Sequence, residues 1–167
     1  RDRPIEPGLK PAPMTAWSGL DDSAGHDRLV PMNVGSHALQ WRLRALRSAT
    51  TSIDLQTFIW KDDSVGLALV REVVAAAERG VRVRVLLDDS FLAHADPSLQ
   101  ALSSHPRISY RIYNPAAQRS GNTVIRELEN LNDFARINHR MHNKLLVVDG
   151  RVAIIGGRNQ ASEYFGY

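Results

Sequence analysis

The segment SIDLQTFIW (52–60) alternates apolar and polar residues and is rich in β-formers, which predicts a strand. DDSVGLALVREVVAAAERG (62–80) follows with apolar residues at helical spacing and Gly80 placed as a C-terminal stop. VRVRVLLDD (81–89) then alternates Val with Arg before turning fully apolar, as a strand entering a core does. Around this unit, Ser36 to about Ala49 reads as an amphipathic helix with Ser36 at its N-cap and Leu39, Leu43 and Leu46 on its apolar side. Asp96-Pro97 opens a short helix to about Ser104, and RISYRIY (107–113) reads as a further strand. NKLLVVDGRVAII (143–155) reads as a hairpin about Asp149-Gly150. The predicted fold is α/β, with a mixed, mostly parallel sheet flanked by helices.

Two segments stand apart from this pattern. Residues 1–27 hold Pro4, Pro7, Pro11 and Pro13 without a sustained period, and predict a linker or extended arm ahead of a domain at 28–167. Residues 114–138 predict a long loop with a helical piece near 125–135. At 167 residues and 43% apolar content, the chain is long enough to bury the core of one domain. Its net charge of +3, from 21 Lys and Arg against 18 Asp and Glu, is too slight to choose among nucleic acid, anionic lipid and no charged partner. The absence of cysteine excludes disulfides, thiolate metal sites and a cysteine nucleophile. No apolar run approaches the ~18 residues that a membrane span needs. Position 1 is Arg rather than Met, so we expect further chain upstream, where a signal peptide or anchor would lie.

The residues able to do chemistry gather between positions 139 and 159. On a strand, residues two apart share a face, so His142 and Lys144 are expected to point the same way. Gly156 and Gly157 let backbone amides approach a ligand, and Asn159 adds an amide donor. A hairpin brings HNK and GGRN together, placing imidazole, ammonium, backbone N–H and carboxamide around one point. That set suits a phosphate: Lys supplies charge, the amides supply donors, and His can attack phosphorus or move a proton. Each piece also has a plain structural reading. A lone histidine beside a strand is more often a satisfied surface or core group, Lys144 can snorkel from the strand end, and Asp149-Gly150 is first of all a turn. Gln56 shares parity with Asp54 and Phe58 and can face a site or simply pack in the sheet. Asp88 and Asp89 end a strand, where they can meet a ligand or cap the next turn. Glu163 can orient a histidine or stand in solvent. Arg136, His139, Arg140 and Arg158 make the neighbourhood basic, which favours an anion or gives merely a solvated edge. The six histidines are scattered and no HExxH spacing occurs.

HNKLLVVD (142–149) is H-x-K-x4-D, with GGRN following at 156–159. This resembles the HKD motif of the phospholipase D superfamily with its downstream G-[GS]-x-N. IDLQTFIWKDD, RGVRVRVLLDD, HPRI, DFARINHRMHNK and GGRNQASEYFG extend the resemblance to the amino-terminal half of bacterial cardiolipin synthase-like members, from about Asp27 to Tyr167. The resemblance implies one half of a two-lobed enzyme. It places the nucleophile on His142, which would form a phosphohistidine, and the phosphate-binding lysine on Lys144. Asn159 and Gly157 complete the phosphate cradle, and Asp149, the motif aspartate, is counted with His142 and Lys144 in the catalytic set, in a supporting role. Apart from the resemblance, the residue reading leaves Gln56, Glu163 and Arg140 as candidates for supporting contacts. Gly157 stands where many relatives carry Ser, so a hydroxyl contact is missing there. No metal or other cofactor is implied. The expected partners are a phospholipid at a membrane surface and a second HKD half, and the expected location is bacterial and peripheral to a membrane.

The family's chemistry needs two facing motifs, and this sequence carries one. We expect the second downstream of Tyr167, or else in a second copy of the chain. The leading expectation is transfer of a phosphatidyl group to an alcohol, as in cardiolipin synthesis from phospholipids. A homodimeric single-motif phosphodiesterase or nuclease is the alternative, although nucleic acid is not favoured without a basic-aromatic stripe. A third reading is a catalytically incomplete piece that only binds phosphate.

Overall fold

The computed structural model describes residues 29–89, 102–115 and 139–167. The arm at 1–27, the helical piece near 125–135 and Arg136 lie outside these residues, as does the helix expected from Asp96 up to residue 101, while residues 102–104 at its end are helical.

Helix α1 spans Gly35–Ser48 and buries Ala38, Leu39, Leu43, Ala45 and Leu46 together with Arg42. Its N-cap is Val34, with no side-chain cap, so Ser36 falls in the first turn and is not the cap. The reason lies at Gly35, where a Cβ would meet the carbonyl oxygen of Phe165 at 2.5 Å. A backbone crossing at the helix start, rather than a capping side chain, fixes where α1 begins. Arg42 stacks its guanidinium 5.2 Å from the Phe165 ring centroid and donates to the Ala38 carbonyl at 3.1 Å. Burial, and then the charge of Arg158, pushes Arg42 down to about 10.

Strand β1 is Ser52–Thr57, shorter than the 52–60 expected from sequence. Thr57 Oγ1 donates to the Ile59 carbonyl at 3.0 Å, turning the chain out of the ladder before Trp60 forms an isolated bridge with Gln160. Helix α2 spans Ser64–Glu78 with Asp63 as N-cap, its carboxylate accepting the amides of Val65 and Gly66. The same carboxylate accepts the Ser162 amide at 2.7 Å, joining the helix start to the short 3-10 turn at Ser162–Tyr164. Gly80 ends α2 at φ 99°, and the bonds Val81 N–H to Ala76 O and Gly80 N–H to Ala77 O close a Schellman motif. Gly66 sits where a Cβ would fall 1.8 Å from the Lys61 carbonyl oxygen. Gly66→Ala is therefore expected to destabilise the domain by about 1–3 kcal/mol, measured as a lower urea midpoint at unchanged m-value.

β2 (Arg82–Asp88), β3 (Ile108–Tyr113), β4 (Leu145–Val148) and β5 (Val152–Ile155) complete a mixed five-stranded sheet in the order β3-β2-β1-β4-β5. β1, β2 and β3 run parallel, while β4 and β5 join antiparallel on the other side of β1. The hairpin turn has both central residues at positive φ, Asp149 at 54° and Gly150 at 67°, the mirror-turn form that suits the strand twist. Ile53, Leu55, Val83, Val85, Leu87, Leu146, Val148 and Ile154 form one core with the apolar sides of both helices. Asp54 takes the opposite parity and pairs with Arg84, whose hydrogen bond above all holds the Asp54 carboxyl below its usual range.

Candidate active site

His142, Lys144 and Asn159 converge where the chain leaves β1. Phe58 brings its ring centroid 4.8 Å from that of His142 at a tilt of 55°. Lys144 Nζ lies 5.2 Å from the same Phe58 centroid. The next residue, Ile59, donates its amide to Asn159 Oδ1 at 3.1 Å and accepts the Gln160 amide at 3.0 Å. Two adjacent residues of one strand end thus gather the His-Lys half of the motif and its GGRN half. With Oδ1 engaged by the backbone, the Asn159 carboxamide turns its Nδ2 donor away from Ile59.

His142 and Lys144 differ sharply in environment. The imidazole is exposed, while Lys144 is 6% exposed. Strand β4 begins only at Leu145, not at the motif as the sequence suggested, so both residues lie on its approach. Lys144 reaches back and donates to the carbonyl of His142 at 2.7 Å. Among the described residues no carboxylate pairs with this ammonium, and burial lowers its pKa from the ordinary lysine value. A carbonyl oxygen and the face of an aromatic ring are its supports. The arrangement leaves an exposed imidazole beside a cation that, among the described residues, has no competing anion.

Because 139–144 precede the ladder, side chains from elsewhere hold them. Asp88, at the end of β2 and 1% exposed, accepts the Met141 amide at 2.8 Å, with Arg140 NH1 3.5 Å from its other oxygen. Asn114 donates its amide to the His139 carbonyl at 2.8 Å. Asp88 therefore ties down the backbone next to His142. Its position at a strand end shows in the sequence, but its partner, 53 residues on, does not.

Asp149 sits at the far end of β4 from His142, with four strand residues, or about 13 Å, between the strand's ends. Its carboxylate accepts the amides of Thr50, Thr51 and Ser52 at 2.7 to 3.2 Å, and the Thr50 hydroxyl at 2.9 Å. Burial alone would raise its pKa. The bonds from Ser52, Thr51 and Thr50 outweigh that and hold the carboxyl below its ordinary value. The motif's third letter fastens the hairpin to the start of β1.

The remaining candidates disperse. Gln56 is half-buried in the sheet, across from Leu145 and Leu86. Glu163 pairs with Lys61 at 2.6 Å, both side chains about half exposed, rather than with a histidine. Arg158 spends its guanidinium on the carbonyls of Tyr164, Met32 and Asn33, clamping the approach to α1. Gly156 has φ 151°, which favours glycine, whereas a Cβ at Gly157 would meet nothing within 4 Å. A serine in place of Gly157 would fit that space. Sequence reasoning missed the hub at Phe58 and Ile59. Parity marks Phe58 as a neighbour of Gln56, but only the register of β1 against β4 brings it to His142.

A mixed sheet carrying H-x-K-x4-D beside G-G-x-N defines a phospholipase D-like domain. The chain matches the family described as "Cardiolipin synthase, PLD-like domain" over residues 43–166, and it belongs to that family. It is 44% identical to cardiolipin synthase C of Escherichia coli (strain K12) over 142 residues, which is 85% of this chain and 29% of that relative. To cardiolipin synthase B of the same strain it is 32% identical over 121 residues, 72% of this chain and 27% of the relative. Among solved structures, NucT from Helicobacter pylori shares the fold at a TM-score of 0.53 and 17% identity, over 78% of this chain and 72% of that one. The chain thus spans less than a third of the length of these curated relatives.

Proposed function

We propose that this domain carries one half of a phosphatidyltransferase site that works through a phosphohistidine, with cardiolipin synthesis from phospholipids as its reaction. The observation that carries the reading is the exposed His142 imidazole beside the buried Lys144, which no carboxylate among the described residues pairs, with Asn159 tethered to the same strand end. The kinship with cardiolipin synthases supports the lipid substrate. His142 attacks phosphorus, the bond to the departing alcohol breaks, and Lys144 with the Asn159 amide stabilises the charge on the phosphoryl oxygens. The alcohol leaves with a proton from an acid imidazole of a second HKD half, in the rest of the polypeptide or in a second copy. An acceptor alcohol then returns its proton to that imidazole and takes the phosphatidyl group, breaking the P–N bond. The enzyme acts at a membrane surface as a peripheral protein.

The test is rapid quenching of the full-length protein in denaturing detergent at mildly alkaline pH, which preserves the P–N bond, with a phospholipid labelled in its phosphatidyl group, followed by peptide mass spectrometry without an acid step. Label is expected on the peptide containing His142 and absent in His142→Ala. Equal label in the variant would refute the nucleophile. Turnover of a generic phosphodiester without any transfer between lipids would point instead to a phosphodiesterase.

A further inference from the structure

We propose that Phe58 is the positioning residue of this site, one ring that sets the angle of the His142 imidazole and holds the Lys144 ammonium beside it. This rests on the reading of His142 as nucleophile. The tethers on residues 139–144 act on backbone: Asp88 on the Met141 amide, Asn114 on the His139 carbonyl, Lys144 on the His142 carbonyl. They place the Cα of His142 but leave its side-chain torsions unset. The Phe58 ring, at 4.8 Å and 55°, supplies that constraint through a tilted aromatic contact.

The same ring explains how Lys144 stays available to a phosphate. A buried ammonium needs support, and an acidic partner would neutralise it and occupy the place of the anion. The electron-rich face of Phe58, 5.2 Å from Nζ, supports the charge without doing either. An aliphatic residue of similar size would fill the space but would neither orient an imidazole nor favour a cation. Phe58 itself follows directly on β1, next to the Ile59 amide that fixes Asn159. Nucleophile, cation and carboxamide are therefore all referred to one point of the backbone.

The experiment compares Phe58→Leu and Phe58→Tyr in the full-length protein. Assay uses phospholipid vesicles and, separately, bis(p-nitrophenyl) phosphate. Phe58→Leu is expected to lower kcat about 10²-fold on both substrates with KM little changed, since misplacing a reacting group has that order of effect. Phe58→Tyr keeps the ring and is expected to restore kcat. In wild-type protein labelled with 13C-histidine, the His142 ring protons are expected to be shifted by the aromatic ring current, a shift kept in Phe58→Tyr and lost in Phe58→Leu. An unshifted His142 in the wild type overturns the proposal, whether or not either variant folds. So does a Phe58→Leu protein at full rate, or a Phe58→Tyr protein as slow as Phe58→Leu. If Phe58→Leu is fully active while His142→Ala is dead, the positioning role fails alone. If His142→Ala turns over normally, the nucleophile assignment fails and the positioning role with it.

Discussion

Lys144→Met is expected to lower kcat/KM for phosphodiester turnover by about 10²–10³-fold, the usual loss when one charge-stabilising donor is removed from a transition state. The same substitution is expected to leave the domain as stable as before, or more so. Lys144 is 6% exposed, and its burial without a carboxylate costs free energy that its carbonyl and ring contacts only partly offset. Methionine fills the same space with an unbranched apolar chain and removes the cost. Because the folded pKa lies below the usual 10.5, the unfolded chain binds more protons between those two values. Wild-type stability therefore rises with pH across that window, while the penalty is fully present at neutral pH. Any advantage of the methionine variant should be largest near pH 7 and shrink toward pH 10.5. Thermal melts at several pH values, set beside kinetics, check both halves. A large fall in Tm at pH 7 would show that the ammonium is structural.

Alternation and helical period were enough to read the strand-helix-strand unit, the Gly80 stop and the Asp149-Gly150 turn, because each is encoded within a few neighbouring residues. Boundaries set by distant chain were not legible. Gly35 rather than Ser36 starts α1 because the Phe165 backbone crosses there, and β1 stops at Thr57 because the chain turns toward Gln160. The site divides in the same way. His142, Lys144 and Asn159 stand out by spacing alone. The elements that bring them together do not: Phe58 and Ile59 become the hub only through the register that sets Gln56 opposite Leu145. Nor does the sequence show that Lys144 is buried while His142, two residues away, is exposed. That difference arises because β4 starts after both.

Asp149→Ala is expected to cost about 2–4 kcal/mol at pH 7, a large share of a domain's stability, yet to leave kcat nearly unchanged at a temperature where the variant is folded. Two contributions add. The amides of Thr50, Thr51 and Ser52 lose a charged acceptor, and alanine must occupy the left-handed region at φ 54°. Asp149→Asn separates them: asparagine tolerates that backbone and keeps one acceptor oxygen, so it should lose only the charge-assisted part. The sign of the pH dependence follows from the lowered carboxyl pKa. A folded value below the unfolded one stabilises the protein above about pH 4 and does so less as pH falls through the folded value. The gap between wild type and Asp149→Asn should therefore be full at pH 7 and narrow below about pH 4. Urea unfolding at pH 7, 5, 4 and 3 measures it. The activity arm separates anchor from catalyst, because Asp149 lies at the opposite end of β4 from His142. A loss of kcat matching that of Lys144→Met, in a variant that melts like wild type, would put Asp149 in the chemistry.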